Sequence, residues 1–175
     1  MESNRIVGDK VILRTITAKD TELIVNWRNN DEVRKNFIFQ ERFTPEMHNK
    51  WLKDKVFSGQ VIQYIIEEKC TGKPIGSVYF RDIDKVNNSA EFGIFIGENN
   101  ARGKGYGTET TQLFIDYGFN KLKLHRIMLR VFQNNISAYN SYLKAGFQIE
   151  GIFKDMIKIN DSYYNIVFMS IINNI

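Results

Sequence analysis

The chain has 175 residues, 43% of them hydrophobic and 25% charged, which suits one domain spanning residues 1–175 with a sizeable core. No apolar run approaches the roughly 18 residues that a membrane span needs, and MESNRIVGDK lacks a basic start and an apolar core, so no membrane partner and a cytoplasmic location are expected. The net charge of +4 is spread along the chain rather than gathered into an arm, which argues against nucleic acid, and two His with one Cys are too few for a Cys/His metal site.

KVILRTI alternates apolar and polar residues, the period of a strand with one buried face. In TAKDTELIVNWRNN, Thr17 can cap a helix that carries Leu23, Ile24 and Trp27 on one side. FTPEMHNKWL opens a second helix, with Thr44 as cap and Pro45 at the first helical position, where its missing N–H costs nothing. VIQYIIEE, IGSVYFRDI and SAEFGIFIG then read as an antiparallel meander joined at TGKP and KVNN. TETTQLFIDYGFNKL has helical spacing, RIMLRVF is rich in strand formers, and SAYNSYLKAGF is a short helix with Ser137 as candidate cap and Gly146 as its left-handed stop. FQIEGIF and YYNIVFMSII close the chain around KINDS. The order predicts a mixed α+β fold: one largely antiparallel sheet of about seven strands, with about four helices divided between its two faces.

NARGKGYGTE joins a strand to a helix through Gly103, Gly105 and Gly107, behind Arg102 and around Lys104. Residues without a Cβ let the backbone approach a ligand, and the first amides of a helix attract phosphate. The spacing is not that of a Walker loop: Glu98 stands where its first glycine belongs, and Gly105 where its hydroxyl belongs. It is not a dinucleotide fingerprint either, since Thr108 or Thr110 replaces the third glycine.

Arg102, Gly105 and Gly107 do form R-x-x-G-x-G, which resembles the acetyl-CoA pyrophosphate loop of the GNAT superfamily of acyltransferases. Asn135, Ala138, Tyr142, Lys144, Gly146 and Phe147 are similar to the fourth-helix signature of that superfamily. SAEFGIFI looks like its fourth strand. The closing strands resemble the branch that holds ribosomal-protein N-terminal and spermidine N-acetyltransferases.

The resemblance implies acetyl-CoA as donor and no metal. Arg102, Gly103, Lys104, Gly105, Tyr106, Gly107 and Thr108 would hold the pyrophosphate, and Ile94, Phe95 and Ile96 would lie along pantetheine. Asn135 would bond the cofactor arm and Lys144 its terminal phosphate. Acetyl transfer to an amine needs a neutral nucleophile and a proton for the leaving thiolate. Tyr142 is expected as the acid, because a phenol stays protonated at neutral pH, and Glu91 as the base, directly or through water.

The first two helices resemble the W-R-N and E-x-H-x-x-W elements of GNAT enzymes that acetylate amino sugars on nucleotides, with Met47 replacing the usual acidic residue before His48. Trp27, Arg28, Asn29, His48 and Trp51 are therefore the candidate acceptor residues. A small-molecule amine, an amino sugar or sugar nucleotide among them, is the expected acceptor. A ribosomal-protein N-terminus, a polyamine such as spermidine, or a CoA-binding regulatory module without turnover are the alternatives, and a homodimer is left open.

Overall fold

The computed structural model describes residues 5–174. Its elements in chain order are β1 (Ile6–Val7), β2 (Val11–Thr15), α1 (Thr21–Asn29), α2 (Asp31–Arg34), α3 (Pro45–Trp51), β3 (Ile62–Glu68), β4 (Pro74–Asp84), β5 (Ser89–Ile96), α4 (Tyr106–Asn120), β6 (Arg126–Phe132), α5 (Ile136–Lys144), β7 (Gln148–Ile159) and β8 (Ser162–Ile172). The eight strands form one sheet in the order β1-β2-β3-β4-β5-β6-β8-β7. The strand and the helix beyond the sequence-based expectation are β1, two residues long, and α2, a single turn; both are too short to carry a periodic signal. No helix among the described residues is long and apolar enough to cross a membrane.

Local chemistry explains most boundaries. Thr44 accepts from Met47 N–H at 3.3 Å and Pro45 occupies the first position of α3, as expected. Thr17 begins a short 3-10 turn rather than α1 itself, and there Asp20 accepts from both the N–H and the hydroxyl of Thr17. The cap of α5 is Asn135, which accepts from Ala138 N–H, and not Ser137, which lies inside the first turn. Gly146 ends that helix at φ +98.

All neighbouring strands run antiparallel except β5 and β6, which are joined through α4 and lie parallel. That pair touches at only three positions, Ser89 with Arg126, Ala90 with Ile127 and Glu91 with Met128. Beyond Glu91, β5 continues to Ile96 on β4 alone, while β6 continues to Phe132 on β8 alone. The sheet therefore opens as a fork at its centre.

Period-2 alternation distributes the strand side chains between two cores. One face sends Val78, Phe80, Ala90, Phe92, Ile127, Leu129 and Val131 toward Phe114 of α4 and Tyr142 of α5. The other sends Ile65 and Phe95 toward Ile24 and Trp27 of α1 and Leu52 beyond α3. Two glycines permit close approaches of helix and sheet: a Cβ on Gly118 would stand 2.9 Å from Phe80, and one on Gly97 would stand 2.2 Å from the Trp27 ring.

Phe114 has no exposed surface and stacks on Phe80 at 4.4 Å and Tyr117 at 5.7 Å. Phe114→Ala is expected to lower unfolding free energy by about 3–5 kcal/mol in urea titration, through lost transfer energy and the cavity left behind. A loss below about 1 kcal/mol would mean that this cluster does not hold α4 to the sheet.

Candidate active site

The fork is pinned by one carboxylate. Glu91 on β5 stands opposite Arg81 on β4 and is the last residue of β5 to pair with β6. Its Oε1 accepts from Arg81 Nη2 at 2.7 Å and from Arg130 Nε at 3.2 Å, and its Oε2 accepts from Arg130 Nη2 at 2.9 Å. Three guanidinium N–H groups thus occupy most of the roughly four acceptor positions of this carboxylate.

Alternation puts Tyr79, Arg81, Glu91, Gly93, Phe95 and Arg130 on the face opposite the α4–α5 core. Tyr79 pairs with Gly93, and its ring covers the place where a Cβ would stand: that atom would be 2.3 Å from Cζ. Glycine is needed there for the phenol to lie across β5. Burial pushes the Tyr79 phenol above its ordinary pKa, and the charges of Arg28, Arg81, Glu91 and Arg130 all reach it.

Tyr142 approaches the fork from the other face. Its ring meets Phe92, the first β5 residue past the last β6 pair, edge-on at 6.1 Å, and Phe147 at 5.9 Å. Among the described residues its hydroxyl has no hydrogen-bond partner. Burial raises its pKa, with Tyr79 near enough to add to the effect, so the phenol stays protonated across the physiological range.

The glycine-rich turn leads from β5 into the 15-residue α4. Gly105 is the N-cap at φ +84 and Gly103 lies at φ +74, so both occupy the left-handed region that favours glycine. No side chain caps the helix, which leaves its first amides for a ligand. Arg102, Gly103, Lys104 and Gly105 are exposed around this end, Arg102 reaching back to Ile96 O at 3.3 Å. Ile94, Phe95 and Ile96 are half-buried along the open edge of β5. Thr108 and Ser141 share a hydrogen bond of 3.0 Å that ties α4 to α5, and Lys144 is exposed.

Residues 10–148 match the model of the family described as an acetyltransferase (GNAT) domain. The chain belongs to the GNAT acetyltransferase family. It is an acyltransferase, and its acetyl donor is acetyl-CoA. It is 32% identical over 161 residues to a spermidine N(1)-acetyltransferase of Escherichia coli K12, covering 92% of this chain and 85% of the relative. Its fold matches the spermidine N-acetyltransferase of Vibrio cholerae solved with CoA and spermine, with a TM-score of 0.88, 25% identity and coverage of 94% and 96%. A dodecameric structure of the Vibrio enzyme matches with a TM-score of 0.81 and 27% identity, over 94% and 95% of the two chains.

Four of the five acceptor candidates in this GNAT chain bond inward, although Nε2 of His48 is buried with no partner among the described residues. Trp27 is buried, with its Nε1 donating to Glu98 at 3.0 Å. Asn29 holds both backbone polar groups of Phe43 at 2.8 Å. Trp51 Nε1 donates to Gln63 at 3.0 Å. His48 is 1% exposed, and its Nδ1 pairs with Thr21 Oγ1 at 3.0 Å. Arg28 differs: its guanidinium carbon lies 3.6 Å from the Phe37 ring centroid, and among the described residues its nitrogens make no hydrogen bond. Sequence reading passed over Tyr79, Arg81 and Arg130. The alternation of GSVYFRDI and RIMLRVF puts them on one face of each strand, but their meeting with Glu91 depends on cross-strand register.

Thr21 donates its hydroxyl proton to Asn49 Oδ1 at 2.9 Å, so it must accept from His48 Nδ1–H, which leaves a neutral ring with its lone pair on Nε2. Burial lowers this imidazole from 6.5 to about 4. Between those values the unfolded chain binds the proton and the folded one does not, so stability falls as pH drops from 6.5 toward 4. His48→Gln is expected to flatten the curve there relative to the parent, by up to about 1.4 kcal/mol per pH unit, in urea titrations at stepped pH. Identical slopes for the two proteins would show that His48 does not titrate on unfolding.

Proposed function

We propose that this protein is a cytoplasmic N-acetyltransferase that moves the acetyl group of acetyl-CoA directly to a primary amine of a small molecule within a ternary complex. The observation that carries the reading is the Tyr142 phenol beside Phe92, where β5 and β6 part, together with the uncapped start of α4. In this reading the α4 amides, with residues 102–108, hold the pyrophosphate, and Asn135 and Lys144 lie beside the rest of the cofactor. The free edge of β5 at Ile94, Phe95 and Ile96 offers main-chain groups to pantetheine as a neighbouring strand would.

The amine nitrogen forms a bond to the carbonyl carbon as the carbon–sulfur bond breaks. Tyr142 gives its proton to the departing sulfur and recovers one from solvent, and the amine loses its proton to water. Glu91, expected from sequence as the base, already accepts from three guanidinium N–H groups. We assign it instead to holding Arg81 and Arg130 at the fork. The partly buried guanidiniums around it repel an ammonium group, so an acceptor bound there is favoured in its neutral, nucleophilic form.

An amino sugar or sugar nucleotide suits the half-buried cation and aromatic rings beside α1. A polyamine is the second reading, favoured by the spermidine N-acetyltransferase relatives. Oligomeric assembly has a surface available in the edge strand β7, where Ile152 and Phe153 are exposed.

Tyr142→Phe is expected to lower kcat about 100-fold or more while leaving the acetyl-CoA Kd within about twofold, by thiol release and calorimetry. Parental turnover in that variant would remove Tyr142 from the acid role. Gly105→Ala puts a Cβ at φ +84, which costs about 1–2 kcal/mol and disturbs the first amides of α4. Its CoA Kd should rise about tenfold, and an unchanged Kd would take the turn out of the cofactor site.

A further inference from the structure

Arg28 is a cation without a counter-ion. Its guanidinium is half-buried between the rings of Phe37 at 3.6 Å and Phe43 at 5.1 Å, and among the described residues no carboxylate pairs with it. Its Nε is buried without an acceptor. Stacking on aromatic faces favours the charge but supplies no acceptor to the buried Nε–H, and removing such a donor from water is costly unless something accepts from it. Desolvation accordingly disfavours its charged form.

The surroundings repeat the same deficit. Arg28 lies near enough for its charge to act on Tyr79 and Arg81 across the gap between α1 and the sheet. Arg81 donates through Nη2 to Glu91, but its Nε is also buried without a hydrogen-bond acceptor, with Asp82 Oδ2 of a largely exposed side chain 3.7 Å away. The Tyr79 hydroxyl has no hydrogen-bond partner among the described residues, and His48, whose ring also feels Arg28, is neutral. Arg28, Arg81 and Arg130 together face Glu91 and the outlying Asp82, three positive charges against two negative.

We propose that Arg28, Tyr79 and Arg81 form a subsite for an anionic group, a phosphate or a carboxylate, carried by the amine acceptor. The inference rests on the N-acetyltransferase reading above and deepens it by naming the acceptor's class. A guanidinium fork and a phenol offer the planar and single donors that such oxyanions accept. A polyamine brings only further positive charge to this face, where it meets an excess of cations. Anchoring the anion on Arg28 also leaves the amino end free to reach the fork, where Arg81 and Arg130 oppose its protonation.

The test compares acceptors that differ only in charge. Thiol release from acetyl-CoA is measured with glucosamine against glucosamine 1-phosphate, glycylglycinamide against glycylglycine, and spermidine. The anionic member of at least one pair should show a kcat/KM about 10- to 100-fold above its neutral partner, and the two pairs separate phosphate from carboxylate. Arg28→Gln should erase that preference through KM, Arg28→Lys should keep part of it, and both should retain the parental CoA Kd. Should Arg28→Gln fail to fold, Tyr79→Phe, which removes one hydroxyl, carries the same comparison. Equal use of charged and neutral partners, or a preference for spermidine, overturns the subsite.

If no amine releases thiol, the acetyltransferase reading fails separately, and calorimetry of inorganic phosphate into the CoA-saturated protein decides the subsite. Binding that Arg28→Gln abolishes keeps the anion site, whereas no binding, or binding indifferent to Arg28, removes it.

Discussion

The architecture depends on a sheet that must come apart at one point without losing its alignment. Glu91 provides that point. It is paired in register with Arg81 on β4, it is the last residue of β5 to touch β6, and its carboxylate also holds Arg130 two residues further along β6. Parallel strands would otherwise continue to pair, because free N–H and C=O groups favour a ladder. A carboxylate shared between guanidiniums on both neighbouring strands keeps the three together where the backbone bonds stop. Breaking such a clamp leaves partly buried charges unpaired, so its value lies more in fixing geometry than in net stability.

From that point the two faces of the sheet take different work. The α4–α5 face is apolar, and it delivers one polar atom to the fork, the Tyr142 hydroxyl, in a setting that keeps it protonated. The opposite face delivers Tyr79, Arg81 and Arg130, and receives Arg28 from α1. In the proposed reading, donor chemistry and acceptor recognition lie on opposite faces of one sheet and meet at the fork. Gly93 is the residue that permits the meeting, because any Cβ there would displace the Tyr79 ring.

Three successive residues of α1 show how a helix can tie such a site together. Trp27 packs on Gly97 and bonds Glu98, at the end of β5 that leads to the glycine-rich turn. Asn29 fixes the backbone of Phe43, and Phe43 with Phe37 forms the aromatic seat of Arg28. Phe37 also meets Phe95, on the strand that lines the fork. The α1 segment with its aromatic seat and β5 are thus one packed unit.

Much of this was legible in the residues. Alternation located the meander, helical spacing located α4 and α5, Thr44 with Pro45 marked the start of α3, and R-x-x-G-x-G with the Asn135–Phe147 signature pointed to the family. The short β1 and α2 escaped because two to four residues carry no period, and Ser137 was a plausible cap two residues too late, because Asn135 accepts from the Ala138 amide and starts the helix earlier. Trp27, Asn29, His48 and Trp51 have the chemistry of ligand residues, yet their N–H donors bond Glu98, Phe43, Thr21 and Gln63, and His48 keeps only a buried Nε2 lone pair unpaired among the described residues. Residue type alone cannot tell an occupied donor from a free one.

What the sequence by itself determined is most of the elements, the family and the glycine-rich turn into α4, because these rest on local periodicity and on spacings within a few residues. What only the tertiary structure decided is that Glu91 clamps two strands, that Tyr79 lies over Gly93, and that Arg28 alone of the acceptor candidates keeps unspent donors. Those facts depend on cross-strand register and on contacts between different elements, from Arg81 with Glu91, 10 positions apart, to Glu91 with Arg130, 39 apart, where no local pattern constrains the partner.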